Sequence, residues 1–365
     1  MKPRHGLVIG KFYPPHAGHH LLVRTASALC QRVSVVVMAS SVESIPLEDR
    51  VAWMREVHEA EHNVAVTGVR DEHPIDYEND DVWRAHVALM IEGARQLTSE
   101  PVDAVFTSES YGAELGRRLG AKAVSVDPGR LLAPISGTQV RRDVPAAWEH
   151  LSAPVRGGLA KRVVVVGAES TGKTTLAAEL AQRLRLRAGP FGATRWVAEY
   201  GWTFTAEFLA RERGRAQLEG RPEPTLEQLT WPSEGFEFIA KEQNRREDLE
   251  ARLGGPVLVC DTDAFATGVW HERYVGQRSP AVEACARKNA LYLVTHPDDV
   301  PFAADVLRDG EKIRCWMTEL FVQRLTESGR RWAWIRGDRA ARLQAALAAV
   351  DGLLEGGWKL ADSLG

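Results

Sequence analysis

The sequence lacks the features that mark secreted, membrane-spanning and disordered proteins. Its 365 residues include only four cysteines, with no CxxC pair and no zinc-like spacing, a pattern typical of reduced cytosolic thiols rather than a disulfide framework. No run approaches the ~18 apolar residues of a membrane span. The N-terminus offers only three consecutive apolar residues, where a signal peptide needs about 7 to 15. We therefore expect a cytoplasmic protein without a membrane partner.

The chain also lacks an excess of charge of either sign. Lys and Arg number 46 against 49 Asp and Glu, which leaves a formal net charge of -3. A helix-turn-helix that reads DNA would need residues before the first predicted strand, and only six are there. We therefore expect no nucleic-acid partner, while homo-oligomer formation stays open.

What the sequence does contain is a regular alternation of strand and helix patterns. Two aliphatic runs, residues 7–9 and 163–166, each lead into a glycine turn followed by a helical pattern, as in buried parallel strands with ligands at their carboxyl ends. Alternation of this kind predicts an α/β protein with two doubly wound parallel-sheet domains. A Pro- and Gly-containing break near 152–158 divides the prediction into domains 1–155 and 160–365. Polar tracts around 70–81 and 211–235 are predicted to be surface loops or segments that cover a substrate.

The first glycine turn carries an unusual set of side chains. Gly10, Lys11 and Phe12 follow the strand, and His16 and His19 lie three residues apart at a predicted helix start. Both imidazoles and the N–H groups of the first helical turn can converge on one point, which favours an anionic phosphate oxygen as the ligand. The alternatives are a zinc site, for which further ligands are missing nearby, and histidines that cap or pack.

These residues resemble the first signature of the HxGH nucleotidyltransferases, and residues 135–141, ISGTQVR, resemble their second signature, ISxTxxR. The resemblance implies a Rossmann-like domain in which an attacking phosphate displaces pyrophosphate from the α-phosphorus of ATP. His16 and His19 would hold the α-phosphate, and Lys11 would contact the phosphates. Ser136, Thr138 and Arg141 would bind the β- and γ-phosphates, since a guanidinium matches two phosphate oxygens.

Trp83 is the candidate for recognising the acceptor. In the nicotinamide mononucleotide adenylyltransferases a Trp near this place stacks on the nicotinamide ring, and a cationic pyridinium over an indole is a favourable pairing. The alternative is that Trp83 is a packed core aromatic. Residues 107–111, at a predicted strand end, are expected to line the same crevice.

The second glycine turn matches the P-loop pattern GxxxxGK[ST] between a strand and a helix. Its candidate ATP-binding residues are Gly167, Glu169, Ser170, Thr171, Gly172, Lys173, Thr174 and Thr175. The loop amides would hold the β-phosphate, and Lys173 would reach the β- and γ-oxygens. Thr174 would be a ligand of Mg²⁺.

Carboxylates at two other predicted strand ends complete this site. Asp261 occupies the place of a Walker B residue and is a candidate Mg²⁺ ligand. Asp263 is a candidate substrate ligand on the same side of an extended segment, with capping of the next helix as the alternative for either Asp. Glu199 is the candidate base for a substrate hydroxyl.

An arginine-bearing lid is predicted near residues 305–314. Arg308 is the first choice for the cation that neutralises the transferred phosphoryl group, with Lys312 and Arg314 following it. The alternative is an exposed arginine on an ordinary charged helix.

An HxGH domain followed by a P-loop kinase domain resembles the bifunctional NadR-type nicotinamide-nucleotide adenylyltransferases/ribosylnicotinamide kinases. That resemblance implies Mg²⁺-dependent use of ATP to convert nicotinamide riboside to nicotinamide mononucleotide and then to NAD. Trp202 stands where relatives often carry Arg, and Val306 replaces a glycine of the lid. Two alternatives remain: a metabolite sensor with a degenerate kinase, and an adenylyltransferase for another phosphate, such as phosphopantetheine, fused to a small-molecule kinase.

Overall fold

The computed structural model describes residues 2–76, 78–298, 300–303 and 311–364, which form two compact units. The first unit contains residues 2–156 together with 358–364, and the second contains residues 157–357. The predicted second range, 160–365, is corrected at its end, because the last described residues hydrogen-bond to Tyr13 and Ser44 of the first unit.

The first unit is built on one parallel sheet. Its strands are β1 His5–Gly10, β2 Arg32–Ala39, β3 Val64–Arg70, β4 Ala104–Thr107 and β5 Lys122–Ser125. Its helices are α1 Ala17–Leu29, α2 Leu47–Val57, α3 Asp80–Leu97, α4 Gly112–Leu119 and α5 Gly137–Arg142, and α6 Ala153–Leu159 follows at the boundary. The strand order is β3-β2-β1-β4-β5. The order reverses beside β1, so a crevice opens at the carboxyl ends of β1 and β4, where open α/β sheets bind ligands.

Strand β2 shows that both faces of this sheet are buried. Val33, Val35 and Val37 pack with residues of α1, whereas Val36 and Met38 pack with residues of α3. Successive side chains of a strand point to opposite faces. The near-continuous apolar runs in the sequence therefore correspond to a sheet covered on both sides.

The second unit repeats this architecture. Its strands are β6 Lys161–Val166, β7 Arg195–Val197, β8 Val257–Asp261, β9 Ala290–Thr295 and β10 Arg331–Ile335. Its helices are α7 Lys173–Arg185, α8 Tyr200–Leu218, α9 Ser233–Leu253, α10 Ala264–Val275, α11 Pro280–Cys285, α12 Arg314–Glu327 and α13 Arg339–Glu355. The parallel strands run in the order β10-β9-β6-β8-β7. The loop that follows the central strand β6 therefore lies between the carboxyl ends of β8 and β9.

One local prediction is wrong, and one predicted break also contains a helix. The tract 211–235 does not begin as a loop, because α8 continues to Leu218 through Ala, Arg, Glu and Gln, which are strong helix formers. The break at 152–158 contains a short helix, α6, despite Pro154. Pro154 stands in its first turn, where a missing N–H costs no intrahelical hydrogen bond. Among the described residues, every helix is too short or too polar to span a bilayer.

Candidate functional sites

The first site is assembled where β1 ends and α1 begins. His16 is the N-cap residue of α1, and its backbone N–H donates to Nδ1 of His19 at 3.3 Å. The two imidazoles stack with ring centroids 3.7 Å apart. The two histidines therefore lie next to each other at the N-terminus of a helix, as the sequence predicted.

Burial sets the charge state of these rings. Desolvation, with smaller repulsion from Arg130 and His150, lowers the pKa of His16 to about 3. Desolvation likewise lowers the pKa of His19 well below its usual value. At pH 7 burial therefore favours the neutral form of both imidazoles.

The second signature reaches the first through Arg141. Its Nη1 donates to the carbonyl of Tyr13 at 3.0 Å, and its Nη2 donates to Oγ1 of Thr138 at 3.3 Å. Ser136 caps α5 by accepting from the N–H of Gln139 at 3.2 Å. A Cβ on Gly137 would lie 3.2 Å from both the Tyr13 carbonyl oxygen and Nη1 of Arg141. The two signatures, more than 120 residues apart in the sequence, therefore lie in direct contact.

A buried ion pair that the sequence did not reveal supports the loop after β1. Nη1 of Arg50 lies 2.6 Å from the carboxylate of Glu43 and also donates to the carbonyl of Lys11 at 3.0 Å. The guanidinium of Arg50 lies 4.3 Å from the ring centre of Tyr13. Arg50 and Glu43 are both buried, so each charge depends on the other. Neither belongs to a motif, and only tertiary contact shows their role.

A cavity of about 320 Å³ opens beside these residues. Gly10, Lys11 and His19 line one part, and Trp83 lines another together with four of the residues 107–111. Trp83 is also buried, with Arg118 over its ring at 5.0 Å and Tyr111 against its edge. The packed-core alternative describes what the contacts of Trp83 show, and its stacking on a nicotinamide ring stays a prediction for a residue that also borders the cavity.

Three polar residues in this cavity were not predicted. Asp71 accepts hydrogen bonds from Nδ1 of His73 at 2.8 Å and from Nδ1 of His86 at 2.5 Å. One ligand atom from each residue lies within 4.8 Å of the others. Both oxygens of the carboxylate are already occupied by the imidazoles, so the group is internally satisfied. His73 and His86 carry no spacing signal that would have found them.

The second site is the loop between β6 and α7. Gly167 has a φ of 149°, and a Cβ there would lie 2.4 Å from Oγ1 of Thr295, so only glycine fits. Lys173 folds back over the loop and donates to the carbonyl of Ala168 at 2.8 Å. Thr171 bonds Thr295 across the loop. The P-loop residues Glu169 to Thr175 line a cavity of about 800 Å³.

The end of β8 supplies a carboxylate beside Thr174. Oγ1 of Thr174 donates to Oδ2 of Asp261 at 2.5 Å. The other carboxylate oxygen, Oδ1, is buried and has no hydrogen-bond partner among the described residues. Burial raises the pKa of Asp261, an effect that Lys173 opposes. A buried carboxylate with a free oxygen next to a hydroxyl fits a hard divalent cation.

Asp263 does not share this position. Its Oδ1 accepts from the N–H of Ala266 at 2.9 Å as the N-cap of α10, and its Oδ2 accepts from the hydroxyl of Tyr292 at 2.7 Å. Unlike Asp261, it does not line the cavity. The capping alternative is therefore the one this geometry favours, and the candidate role of Asp263 in substrate binding is corrected.

The other residues that the sequence singled out for this site lie at the cavity, on the P-loop or outside the described residues. Glu199, at the end of β7, and Trp202, in the first turn of α8, both line the cavity. Arg308 and Val306 lie outside the described residues. Arg314, further along the predicted lid, donates through Nη2 to the carbonyl of Ser170 in the P-loop at 3.0 Å.

Two arginines that sequence reasoning missed also hold the P-loop. Nη1 of Arg273, on α10, pairs with the carboxylate of Glu169 at 3.0 Å. Nη1 of Arg342, on α13, donates to the carbonyl of Thr171 at 2.7 Å and is buried. Both lie on helices far from the loop in sequence, where an arginine ordinarily indicates a solvated face.

The fold and the sites define a protein of two α/β units with parallel sheets. In the first unit the HxGH-like and ISxTxxR-like signatures are in contact, and the second unit contains a P-loop sequence. A family model described as "AAA domain" matches residues 162–342. The trifunctional NAD biosynthesis/regulator proteins NadR of Escherichia coli K12 and Salmonella typhimurium LT2 are each 26% identical to this chain, over 88% of it and 76% of the relative. The resemblance to NadR-type proteins is confirmed.

Solved structures agree on the fold. A NadR protein in complex with NAD and AMP-PNP superposes with a TM-score of 0.71 at 22% identity, covering 96% of both chains. A NadR protein in complex with NR superposes with a TM-score of 0.72 at 21% identity, covering 96% of this chain and 97% of the other. The predicted fold class, two α/β units with parallel sheets, is confirmed.

Proposed function

We propose that this chain is a bifunctional enzyme of NAD biosynthesis that uses ATP in each unit. The second unit phosphorylates nicotinamide riboside to nicotinamide mononucleotide, and the first adenylylates that product to NAD with release of pyrophosphate. The observation that carries the proposal is the pairing, in one chain, of contacting HxGH and ISxTxxR signatures with a P-loop beside Asp261. Relatives named as NAD biosynthesis proteins over most of the chain support it.

In the first unit the reaction is one of positioning and charge stabilisation. The phosphate of the acceptor attacks the α-phosphorus of ATP in line, and the bond to pyrophosphate breaks. His16, His19 and the N-terminus of α1 offer neutral donors to the α-phosphate oxygens. Negative charge grows on those oxygens in the transition state and strengthens each hydrogen bond that an aligned N–H donates to them. Lys11 and Arg141 supply positive charge for the β- and γ-phosphates.

In the second unit the 5′-hydroxyl of the riboside attacks the γ-phosphorus and ADP leaves. Glu199 accepts the proton of that hydroxyl. The loop amides and Lys173 hold the phosphates in line for transfer. Thr174 and Asp261 would hold Mg²⁺, which supplies charge neutralisation at the β- and γ-oxygens when bound. The free oxygen of Asp261 is the feature that fits this ion.

The experiment follows both steps in one tube. Purified protein with nicotinamide riboside, ATP and Mg²⁺ should form the mononucleotide and then the dinucleotide. His19→Ala should stop at the mononucleotide, and Lys173→Ala should leave the riboside unreacted while still adenylylating added mononucleotide. A sensor would bind the riboside and ATP without accumulating ADP. If His19→Ala makes dinucleotide at the parent rate, the first-site assignment is wrong.

The choice of acceptor needs its own test. Nicotinamide mononucleotide and phosphopantetheine should be compared for release of pyrophosphate, and we expect release with the former alone.

A cytoplasmic location is part of the proposal, because the four cysteines are free thiols and reduced thiols are typical of that compartment.

A further inference from the structure

The segment of residues 358–364 reaches the cavity of the first unit. Residues 358–364 belong to this unit by their contacts, although they follow the second unit in sequence. Ser363 and Leu364 line the same cavity as Gly10, Lys11 and His19. The segment has no regular secondary structure, so its place is determined by the groups that bind it.

Those groups are three side chains around the loop after β1. Nζ of Lys11 donates to the carbonyl of Leu364 at 2.5 Å. The hydroxyl of Tyr13 donates to the carbonyl of Ala361 at 2.9 Å. Oγ of Ser44 accepts from the N–H of Ala361 at 2.8 Å and donates to the carbonyl of Lys359 at 3.3 Å. All four bonds reach main-chain atoms of the segment.

Two of the binding groups are also joined to each other and to the rest of the unit. Tyr13 is buried, and its hydroxyl accepts from the backbone N–H of Ser44 at 2.9 Å. The buried guanidinium of Arg50 lies against its ring. Because Tyr13 and Ser44 are already joined, binding the segment orders few additional side chains, and little conformational entropy is lost on their side.

We propose that Lys11, Tyr13 and Ser44 form a binding site for residues 358–364, and that the bound segment competes with the triphosphate of ATP for Lys11. The second part rests on the proposed function, in which Lys11 is a phosphate ligand. The carbonyl of Leu364 takes one of the three N–H donors of the ammonium, and Glu43 lies 3.9 Å from the same nitrogen, so a phosphate at Lys11 competes with the segment for the remaining space and donors. A phosphate oxygen is charged as well as the ammonium and binds it more strongly than a neutral carbonyl does, so ATP displaces the segment and the segment raises the ATP concentration needed.

Competition of this kind changes KM and spares kcat. A protein whose binding-competent form is only a fraction of the population loses apparent affinity in proportion to that fraction. If the segment is bound in about 70 to 90% of molecules, its removal lowers the KM for ATP about three- to tenfold. At saturating ATP every molecule has released the segment, and the maximal rate is unchanged.

The kinetic test uses a protein truncated after Gly357, with nicotinamide mononucleotide as the acceptor so that the kinase step is not needed. We expect the KM for ATP to fall about three- to tenfold with kcat unchanged. Ser44→Ala in the full chain should shift KM in the same direction, and should have no further effect in the truncated protein. Ser41→Ala is the matched control, because Ser41 bonds Glu72 and not the segment. An unchanged KM, or a higher KM with a lower kcat, overturns the proposal.

Hydrogen exchange gives a readout that does not depend on turnover. In Lys173→Ala protein, where nucleotide binding to the second unit is weakened, a nonhydrolysable ATP analogue should speed amide exchange in residues 359–364. Slower exchange would mean that the segment closes over the nucleotide, which contradicts competition. Failure of the proposed function is distinguishable, because then the full chain forms no dinucleotide from added mononucleotide, whereas failure of the competition leaves that reaction intact with an unchanged KM for ATP.

Discussion

His20 lies directly after the two histidines of the first signature and is buried beneath them. Its Nδ1 lies 3.0 Å from Nε2 of His58. Desolvation, with repulsion from His58 and Arg24, lowers the pKa of His20 to about 3. An unfolded chain, by contrast, binds a proton at histidine near pH 6.5.

This difference makes stability depend on pH with a definite sign. Between about pH 3 and pH 6.5 the unfolded chain binds a proton at His20 that the folded chain does not. The free energy of unfolding therefore rises with pH across that window, by up to about 1.4 kcal/mol per pH unit for one such proton. His20→Gln should flatten the slope measured by urea unfolding between about pH 4.5 and pH 6. An unchanged slope contradicts this account, and His62→Gln, on the surface, is the matched control.

Glu169 places a negative charge in the P-loop, where it pairs with Arg273. A carboxylate in a phosphate-binding loop repels ATP unless a cation neutralises it. Arg273, itself nearly buried, is that cation in this structure. Removing it takes away a positive charge 3.0 Å from the carboxylate of Glu169 and strengthens the repulsion that this carboxylate exerts on a bound triphosphate.

Arg273→Met should therefore raise the KM for ATP in riboside phosphorylation, by about tenfold for 1.4 kcal/mol of repulsion. Adding Glu169→Gln should restore much of the affinity, because the repelling charge is gone. A purely structural role of Arg273 would give a double variant that is as poor as the single one. Adenylylation of the mononucleotide serves as the internal control.

At the scale of elements, the short helix α5 determines whether the two signatures meet. Gly137, its first residue, passes the loop after β1 so closely that a side chain would press on the Tyr13 carbonyl and on Arg141. Small displacements of phosphate-binding groups have large effects on rate.

Gly137→Ala should lower adenylyl transfer by about tenfold or more and leave riboside phosphorylation unchanged. Gly129→Ala is the matched control in the same unit, since the nearest atom to a Cβ there is the Leu131 side chain at 3.6 Å, an ordinary contact. Equal rates for the two variants would show that the approach of α5 to the loop is not needed for the reaction.

At the scale of the whole molecule, each unit has its own sheet, its own cavity and its own phosphate-binding loop. The proposed reactions share ATP and one diffusible intermediate, the mononucleotide. Nothing in either site requires the other unit to be active in the same chain.

Mixing His19→Ala protein with Lys173→Ala protein should consequently restore dinucleotide formation from the riboside. The first supplies the mononucleotide and the second consumes it, so the dinucleotide should appear after a lag that shortens as protein concentration rises. The time course of both products measures this. If the mixture stays inactive while each variant performs its own half-reaction, the intermediate does not leave the chain that makes it.

Local sequence patterns were sufficient to predict the two parallel sheets and the two glycine-containing loops. The apolar runs at β1 and β6 end at the glycine-containing turns, those at β2 and β8 end at polar residues, and a strand buried on both faces leaves few other interpretations. The neighbours His16 and His19, or Lys173 and Thr174, are close in space because they are close in sequence.

The remaining parts depend on contacts between residues distant in the chain. Whether Asp261 or Asp263 faces the phosphates could not be read from their alternation, because the strand ends at Asp261 and a helix cap takes Asp263. Arg50, Arg273 and Arg342 carry no local signal, since their partners are main-chain or acidic groups on other elements.

The sequence by itself determined the class of fold, the two phosphate-binding loops and the resemblance to NadR-type proteins, since strand periodicity, glycine geometry and motif spacing are local properties. Only the tertiary structure decided which charges support those loops and that residues 358–364 lie against Lys11. Buried ion pairs and main-chain hydrogen bonds form between distant segments, and their energy depends on burial and distance, which no pattern along the chain records.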